Sequence, residues 1–343
     1  MEALYAGLDV GSTFMHLVAV TGTGEVAFDR RFATDREKLC EVIDALSGEV
    51  EVHVEASTLA GCIRRLLLTR ANVKRVVVGH PKSSAWIAKD PLKNDRLDAL
   101  KLAQLLRMGQ VHEVYYPNEA HRETFKRIVQ NSDRITGQVV RIKNQIKARF
   151  WAEGVWVQGN DLYGVRGRGS YVAQVSSAAA REDLQHQYEL LDETVKIQKK
   201  ARALMMKEGK KYPEVARFQE VPGIGPVGAC RFSAYIQTPE RFHRKQQVWR
   251  YCRLGITDRS SDGKPLGRQR LDRNGHGRLK DVTRKAFEAA RRTRKENQFQ
   301  RTYREALSRT QDKTHARLTT QRKFVTVLWA MWKGDTRYQD DKG

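Results

Sequence analysis

The sequence predicts an α/β amino-terminal domain with a mixed sheet, a helical coiled-coil middle and a mainly α carboxy-terminal domain. Three observations carry this. The first hundred residues alternate strand-like and helix-like apolar runs after an opening hairpin. From about residue 120 the apolar residues fall into a seven-residue period. Beyond Tyr212 the chain holds a helix-like run, becomes turn-rich and strongly basic, then closes on an apolar run.

Leu4, Ala6, Leu8 and Val10 alternate as a strand does, and Leu17, Val18 and Val20 continue after a Gly-Ser-Thr turn. Thr21-Gly22-Thr23-Gly24 predicts a hairpin into 25–32. Leu39, Val42, Ile43 and Leu46 keep helix spacing, as do Ile63, Leu66 and Leu67. Val50–Val54 and Val73–Val78 read as strands, 95–108 as a helix and 111–116 as a final strand. Phe125, Ser132, Val139 and Ile146 form one seam series, interleaved with Ile128, Ile135 and Ile142; Ser132 is its polar break. The glycine-rich stretch 154–169 is expected to be a flexible link to a second seam at Leu184, Tyr188, Leu191, Val195 and Met205. Together these predict an antiparallel helical arm, with a bundle packed on its own domain as the alternative. Val227–Ile236 reads as helix-like, 283–298 and 303–311 are two basic segments, and the closing apolar run Phe324–Trp332 is expected to pack this domain. The boundaries expected are 1–117, 118–210, 211–335 and a loose tail, 336–343.

A chain of 343 residues holds two or three modules with their own cores. Its net charge of +23 favours a polyanionic partner, because nucleic acid releases counterions when cations bind it. Residues 241–343 hold 28 Lys and Arg against 11 Asp and Glu, so most of the excess sits there. No apolar run reaches the length of about 18 residues that a membrane span needs. Cys40, Cys62, Cys230 and Cys252 lack paired spacing, and the amino terminus lacks signal-peptide features. The protein is expected to be cytoplasmic, with reduced cysteines.

Four carboxylates stand out. Asp9 follows a strand in Asp-x-Gly-Ser-Thr, Glu55 ends another, and Asp95 and Asp98 open a helix three residues apart, hence on one face. Taken alone, the Asp9 turn suits actin-like ATPases and sugar kinases as well as nucleases with a ribonuclease-H-like sheet. Asp95 alone reads as a helix cap, and Asp98 as a solvated charge. The set of four favours Mg²⁺, since clustered carboxylates repel unless a cation pairs with them. Two such ions about 3.5–4 Å apart clamp the attacking and leaving oxygens of a phosphodiester.

Pro222-Gly223-Ile224-Gly225 is a tight turn before a helix, the kind that helix–hairpin–helix elements aim at a DNA phosphate; a plain connecting turn is the alternative. Ser260 and Ser261 lie in a loop rich in glycine and arginine, with Arg259, Arg268 and Arg270 near them as candidate phosphate clamps.

Over roughly residues 1–335 the chain resembles the DEDD transposases of the bridge-RNA-guided insertion-sequence group, relatives of the Piv site-specific invertase. Asn94-Asp95-Arg96-Leu97-Asp98-Ala99 with Leu102-Ala103 resembles that family's Asp-x-x-Asp-Ala helix. Val221-Pro222-Gly223-Ile224-Gly225, Arg241-Phe242 and Leu254-Gly255-Ile256-Thr257 look like the opening of its C-terminal domain. The resemblance implies a RuvC-like domain whose Asp9, Glu55, Asp95 and Asp98 bind Mg²⁺. It also implies a serine nucleophile, donor and target double-stranded DNA, a structured non-coding guide RNA, and a homo-oligomer between dimer and tetramer. Ser261, six residues before Gly267, is the better match for the nucleophile, with Ser260 beside it. The family's serine is usually followed by glycine, whereas Asp262 follows here. The rival readings are a structure-specific nuclease using metal and water alone, an actin-like ATPase, and a non-enzymatic nucleic-acid-binding regulator.

Overall fold

A computed structural model describes residues 3–80, 94–257, 260–261, 264–265 and 270–340. Its contacts separate into two compact units, Met1–Asn118 and Glu119–Gly343.

In the first unit, β1 (Leu4–Val10), β2 (Phe14–Val20), β3 (Val26–Ala33), β4 (Val50–Glu55) and β5 (Val73–Gly79) form one sheet in the order β3-β2-β1-β4-β5. The hairpin strands β1, β2 and β3 pair antiparallel, while β1–β4 and β4–β5 are parallel. Helices α1 (Arg36–Asp44) and α2 (Ala60–Leu67) supply the crossovers that parallel pairing requires. The Asp35 side chain caps α1 through the Glu37 and Lys38 amides. Leu39, Val42, Ile43, Ile63 and Leu67 bury against Leu8, Leu17, Val52 and Val54 on one face of the sheet. Helix α3 (Asp95–Arg107) is capped by Asn94, whose side chain accepts from the Arg96 amide. Asp95 is therefore the first residue of the helix and not its cap. The expected strand at 111–116 reduces to a single bridge between Gly79 and Glu113 with two flanking backbone bonds, His80 N to His112 O and Val114 N to Val78 O. This segment runs into Pro117, which has no amide hydrogen to extend a ladder.

In the second unit, α4 (Ala120–Ala152) and α6 (Ala178–Gly209) form a long antiparallel hairpin. The register is fixed by Arg149 with Asp183 at one end and Gln198 with Thr136 further down. The heptad positions Phe125, Ser132, Ile135, Val139, Ile142 and Ile146 are buried as spaced. The link between the helices is built, contrary to the expectation of a flexible glycine-rich stretch. It holds a 3-10 turn (Asp161–Tyr163) and α5 (Val165–Val172), and Val155, Val157, Leu162 and Val175 pack on Phe150 and Tyr188. The glycines sit between these apolar anchors, so the segment closes the tip of the hairpin.

The other end of the hairpin joins a second core. Phe125, Val129 and Met205 pack with residues of α7 (Pro213–Phe218), α8 (Pro226–Ile236), α9 (Lys245–Tyr251), α10 (Gly277–Arg291), α11 (Gln298–Thr310) and α12 (Lys313–Lys333). Buried Asp133 of α4 accepts from Arg231 Nε at 2.7 Å and from Tyr235 Oη at 2.7 Å, tying α4 to α8. Residues 336–340, expected as a loose tail, dock instead: the Asp340 carboxylate accepts from the Gln298 amide, and the Tyr338 amide donates to Glu220. Among the described residues no helix is long and apolar enough to cross a membrane, and all four cysteines are free.

Candidate metal and nucleic-acid site

Strands β1 and β4 are parallel and in register, with Leu8 opposite Val54. Asp9 and Glu55 are the next residue on each strand. By strand alternation they share the face that carries Gly7 and His53, opposite the α1–α2 core. Helix α3 covers that face and comes unusually close at Gly7, where a Cβ would lie 2.0 Å from the Ala99 carbonyl oxygen and 2.5 Å from the Ala103 nitrogen. Small residues on both sides thus let the helix backbone rest on the strand. His53, 1 % exposed, adds a second anchor: its Nδ1 donates to the Leu102 carbonyl at 2.9 Å. Burial holds the His53 pKa below its ordinary value, so the ring is neutral and Nε2 lies against Gly79.

The helix runs against β1. At its far end, the Gln104 side chain donates to the Gly24 carbonyl in the β2–β3 turn. Its first turn, with Asp95 and Asp98, therefore lies beside the carboxyl ends of β1 and β4. Arg96 secures this end by pairing with Asp29 of β3, which also takes a 2.7 Å bond from His16 Nε2. His16 is the cross-strand partner of Asp9.

The four carboxylates act on one another. Burial raises the Asp9 pKa first, and the negative charges of Asp95 and Asp98 raise it further. The amide of Val10 and the proximity of His16 oppose this only in part. Glu55 is likewise raised by burial, then by Asp9 and Asp98. A two-strand, one-helix junction thus gathers negative charge in a half-buried place. Among the described residues, no three His, Cys, Asp or Glu side chains stand close enough to hold an ion as they are. The donor set is all oxygen, which suits a hard divalent cation, and its mutual repulsion is what such a cation relieves.

The remaining candidates lie in the second unit. Ser260–Ser261 form the short strand β7, whose backbone pairs with β8 (Lys264–Pro265). A further antiparallel pairing joins β6 (Ile256–Thr257) with β9 (Arg270–Leu271). The residues beside β9 are fixed by the Arg250–Asp272 pair at 2.6 Å and by Gly275, at φ +111°, packed on the Tyr251 carbonyl. Arg270 lies exposed on β9, and Arg259 and Arg268 fall outside the described residues. Gly223, at φ +86°, lies where a Cβ would meet the Ala286 carbonyl oxygen of α10 at 2.2 Å. Its glycine is accounted for by packing. Gly225 faces open space at the start of α8.

The residues that position the carboxylates were not singled out in the sequence. Gly7 carried a signal, since glycine inside a strand marks close backbone approach. His16, Asp29, His53 and Arg96 carried none, because their partners are distant in sequence.

Two family models match the chain. One, for DEDD transposases of the IS110 group and described as "Transposase", matches residues 6–150 and spans all four carboxylates. The other, described as "Transposase IS116/IS110/IS902 family", matches residues 215–304 and spans the glycine turn and both serines. No curated protein matches the chain. With both domains present, the protein is an enzyme of the DNA transposase and recombinase class. It belongs to the IS110-family transposases.

Proposed function

We propose that this transposase cuts and rejoins DNA through a serine–phosphate intermediate, with Asp9, Glu55, Asp95 and Asp98 as Mg²⁺ ligands and a structured non-coding RNA choosing the sites. The observation that supports the reading is the electrostatic action of Asp95 and Asp98, in the first turn of α3, on Asp9, and of Asp9 and Asp98 on Glu55, at the carboxyl ends of β1 and β4. The strand order β3-β2-β1-β4-β5, with an antiparallel hairpin joined to parallel strands, supports a RuvC-like, ribonuclease-H-like assignment for this unit. The matched family is generally metal-dependent, which agrees with an all-oxygen donor set.

Ser261 is the nucleophile in this reading, with Ser260 as its neighbour. Its Oγ forms a bond to phosphorus while the bond from phosphorus to the strand oxygen breaks. The serine proton ends on the departing strand hydroxyl, so the phosphodiester energy is kept in the serine ester. Rejoining reverses the step on a new strand end. Bound Mg²⁺ would polarise the phosphate and stabilise the leaving oxygen. Arg270, exposed on β9, suits a phosphate clamp, as do Arg259 and Arg268 by sequence position. Gly223 and Gly225, with the basic surface of the second unit, complete the proposed contacts to DNA and RNA. The chain is expected to act as a homo-oligomer, dimer to tetramer.

The test is denaturing electrophoresis of the full chain after incubation with element DNA, guide RNA and Mg²⁺. The reading predicts a covalent protein–DNA adduct that requires the RNA and is lost in Ser261→Ala. An adduct surviving both Ser261→Ala and Ser260→Ala would exclude the serine role, and one formed equally without RNA would exclude guidance.

A further inference from the structure

Helix α6 buries one seam against its own chain, through Leu184, Tyr188, Leu191 and Met205. It carries a second apolar stripe that stays open. Leu190, Ile197 and Leu204 are 50 %, 51 % and 47 % exposed and stand seven residues apart. A single exposed leucine is ordinary on a protein surface. Three in heptad register form a ridge about 21 Å long that keeps one face toward a partner helix. Thr194 and Ala201 fall between them on the same face.

Two further observations identify the partner. Charge along α6 is divided: residues 178–193 carry five Asp and Glu against one Arg, whereas 194–209 carry five Lys and Arg against one Glu. Asp183 and Asp192 are engaged by Arg149 and Arg168 of the same chain, which leaves Glu182, Glu189 and Glu193 in the acidic half. A second copy laid antiparallel sets the acidic half on the basic half, whereas a parallel copy sets like on like. With Ile197 on the two-fold axis, Leu190 faces the partner's Leu204 and Glu193 comes beside the partner's Lys200. Within the chain Glu193 bonds Lys196, but both side chains are well exposed, so that pair costs little to exchange.

The ridge also borders a groove. A hollow of about 240 Å³ beside Leu204 is lined by Ala201 of α6 and by Ile128 and Asn131 of α4. In the antiparallel arrangement the partner's Leu190 is the knob that reaches it. Nucleic acid matches this face less well, because Leu190, Ile197 and Leu204 offer no ring to stack on a base and Glu189 and Glu193 flank one end.

We propose that α6 pairs antiparallel with α6 of a second copy of this chain, through Leu190, Ile197 and Leu204 and a Glu193–Lys200 pair on each side of the two-fold axis. The inference rests on the homo-oligomer part of the proposed function and deepens it by naming the face and its direction.

Sedimentation equilibrium of the full chain over a concentration series, in EDTA and without nucleic acid, tests it. Ile197→Glu, which brings two carboxylates together on the axis, is expected to weaken the dimer more than about tenfold. Its circular dichroism should match the wild type, since Ile197 is half exposed in the single chain. Glu193→Lys and Lys200→Glu are each expected to weaken the dimer about fivefold, and the double variant to restore it. Leu68→Glu, at an exposed leucine of the first unit, is the control and should leave the dimer unchanged. A wild type that sediments as a monomer at every concentration would sink the homo-oligomer reading and this face together. A dimer left intact by Ile197→Glu, equal loss in Leu68→Glu, or a double variant as weak as the single ones would overturn the interface alone. An intact dimer with lost binding to a DNA duplex or an RNA hairpin would assign the ridge to nucleic acid instead. The serine and metal readings are untouched by any of these results.

Discussion

Asp9 and Glu55 each follow an in-register pair of the parallel strands β1 and β4, Leu8 with Val54, and so stand side by side on the face that α3 covers. Burial raises both pKa values, the Asp9 charge raises that of Glu55 further, and Asp98 adds to both.

That relationship sets a pH dependence. A carboxyl whose folded pKa lies above its unfolded value binds protons more readily in the native state. Stability from this source falls as pH rises from the ordinary carboxylate range through the raised values. Asp9→Asn removes the cost. Without divalent metal, the variant should melt at a higher temperature than the wild type at pH 7, and the difference should vanish once the carboxyls are protonated. Strand transfer should fall by about a hundredfold or more. Calorimetry over a pH series and an activity assay check the two halves.

Gly7→Ala tests the seat of α3. The added methyl would lie 2.0 Å from the Ala99 carbonyl oxygen, so the helix must lift from β1. Overpacking of this kind costs about 1–3 kcal/mol. Because Asp95 and Asp98 travel with the helix, activity should drop although no ligand is altered. Chemical denaturation and strand-transfer assays on the same preparation separate the two effects.

The fold was legible wherever burial on one face imposed a period. Strands β1, β2, β4 and β5 and the seam of α4 follow from apolar patterning and heptads, whereas the mostly exposed β3 follows from the Thr21–Gly24 turn before it. Segment 154–169 was not legible, because its glycines masked the apolar anchors Val155, Val157 and Leu162 that hold it. Residues 336–340 read as polar and loose because their bonds reach to Glu220 and Gln298, far away in sequence. The four carboxylates were readable as a set from residue type and element ends. Their supports, His53 on the Leu102 carbonyl and Arg96 on Asp29, depend on long-range geometry and gave no local signal.

Asp133→Ala tests the tie between the helical hairpin and the second core. Asp133 is 4 % exposed and Arg231 8 %, so the substitution strands a buried guanidinium and the Tyr235 hydroxyl. The expected loss is about 3–5 kcal/mol, read from urea unfolding. Ser132→Ala, one residue earlier, should show no such loss.

His276 sets the acid limb of the second unit. Its ring lies tilted against Tyr235, with ring centroids 3.9 Å apart, and burial, followed by the nearby Lys126 cation, depresses its pKa to about 4. The unfolded ring protonates near its ordinary value and the folded ring does not. Stability is therefore full above about 6.5 and is lost as pH falls towards 4. His276→Gln should flatten that limb in equilibrium unfolding between pH 4 and 7.

The central claim is that Asp9, Glu55, Asp95 and Asp98 form one cation site. Calorimetric titration of Mg²⁺ or Mn²⁺ into the full chain tests it most directly. The account predicts binding that weakens about tenfold or more in each of Asp9→Asn, Glu55→Gln, Asp95→Asn and Asp98→Asn, with the variants still folded. Wild-type affinity in all four would contradict it.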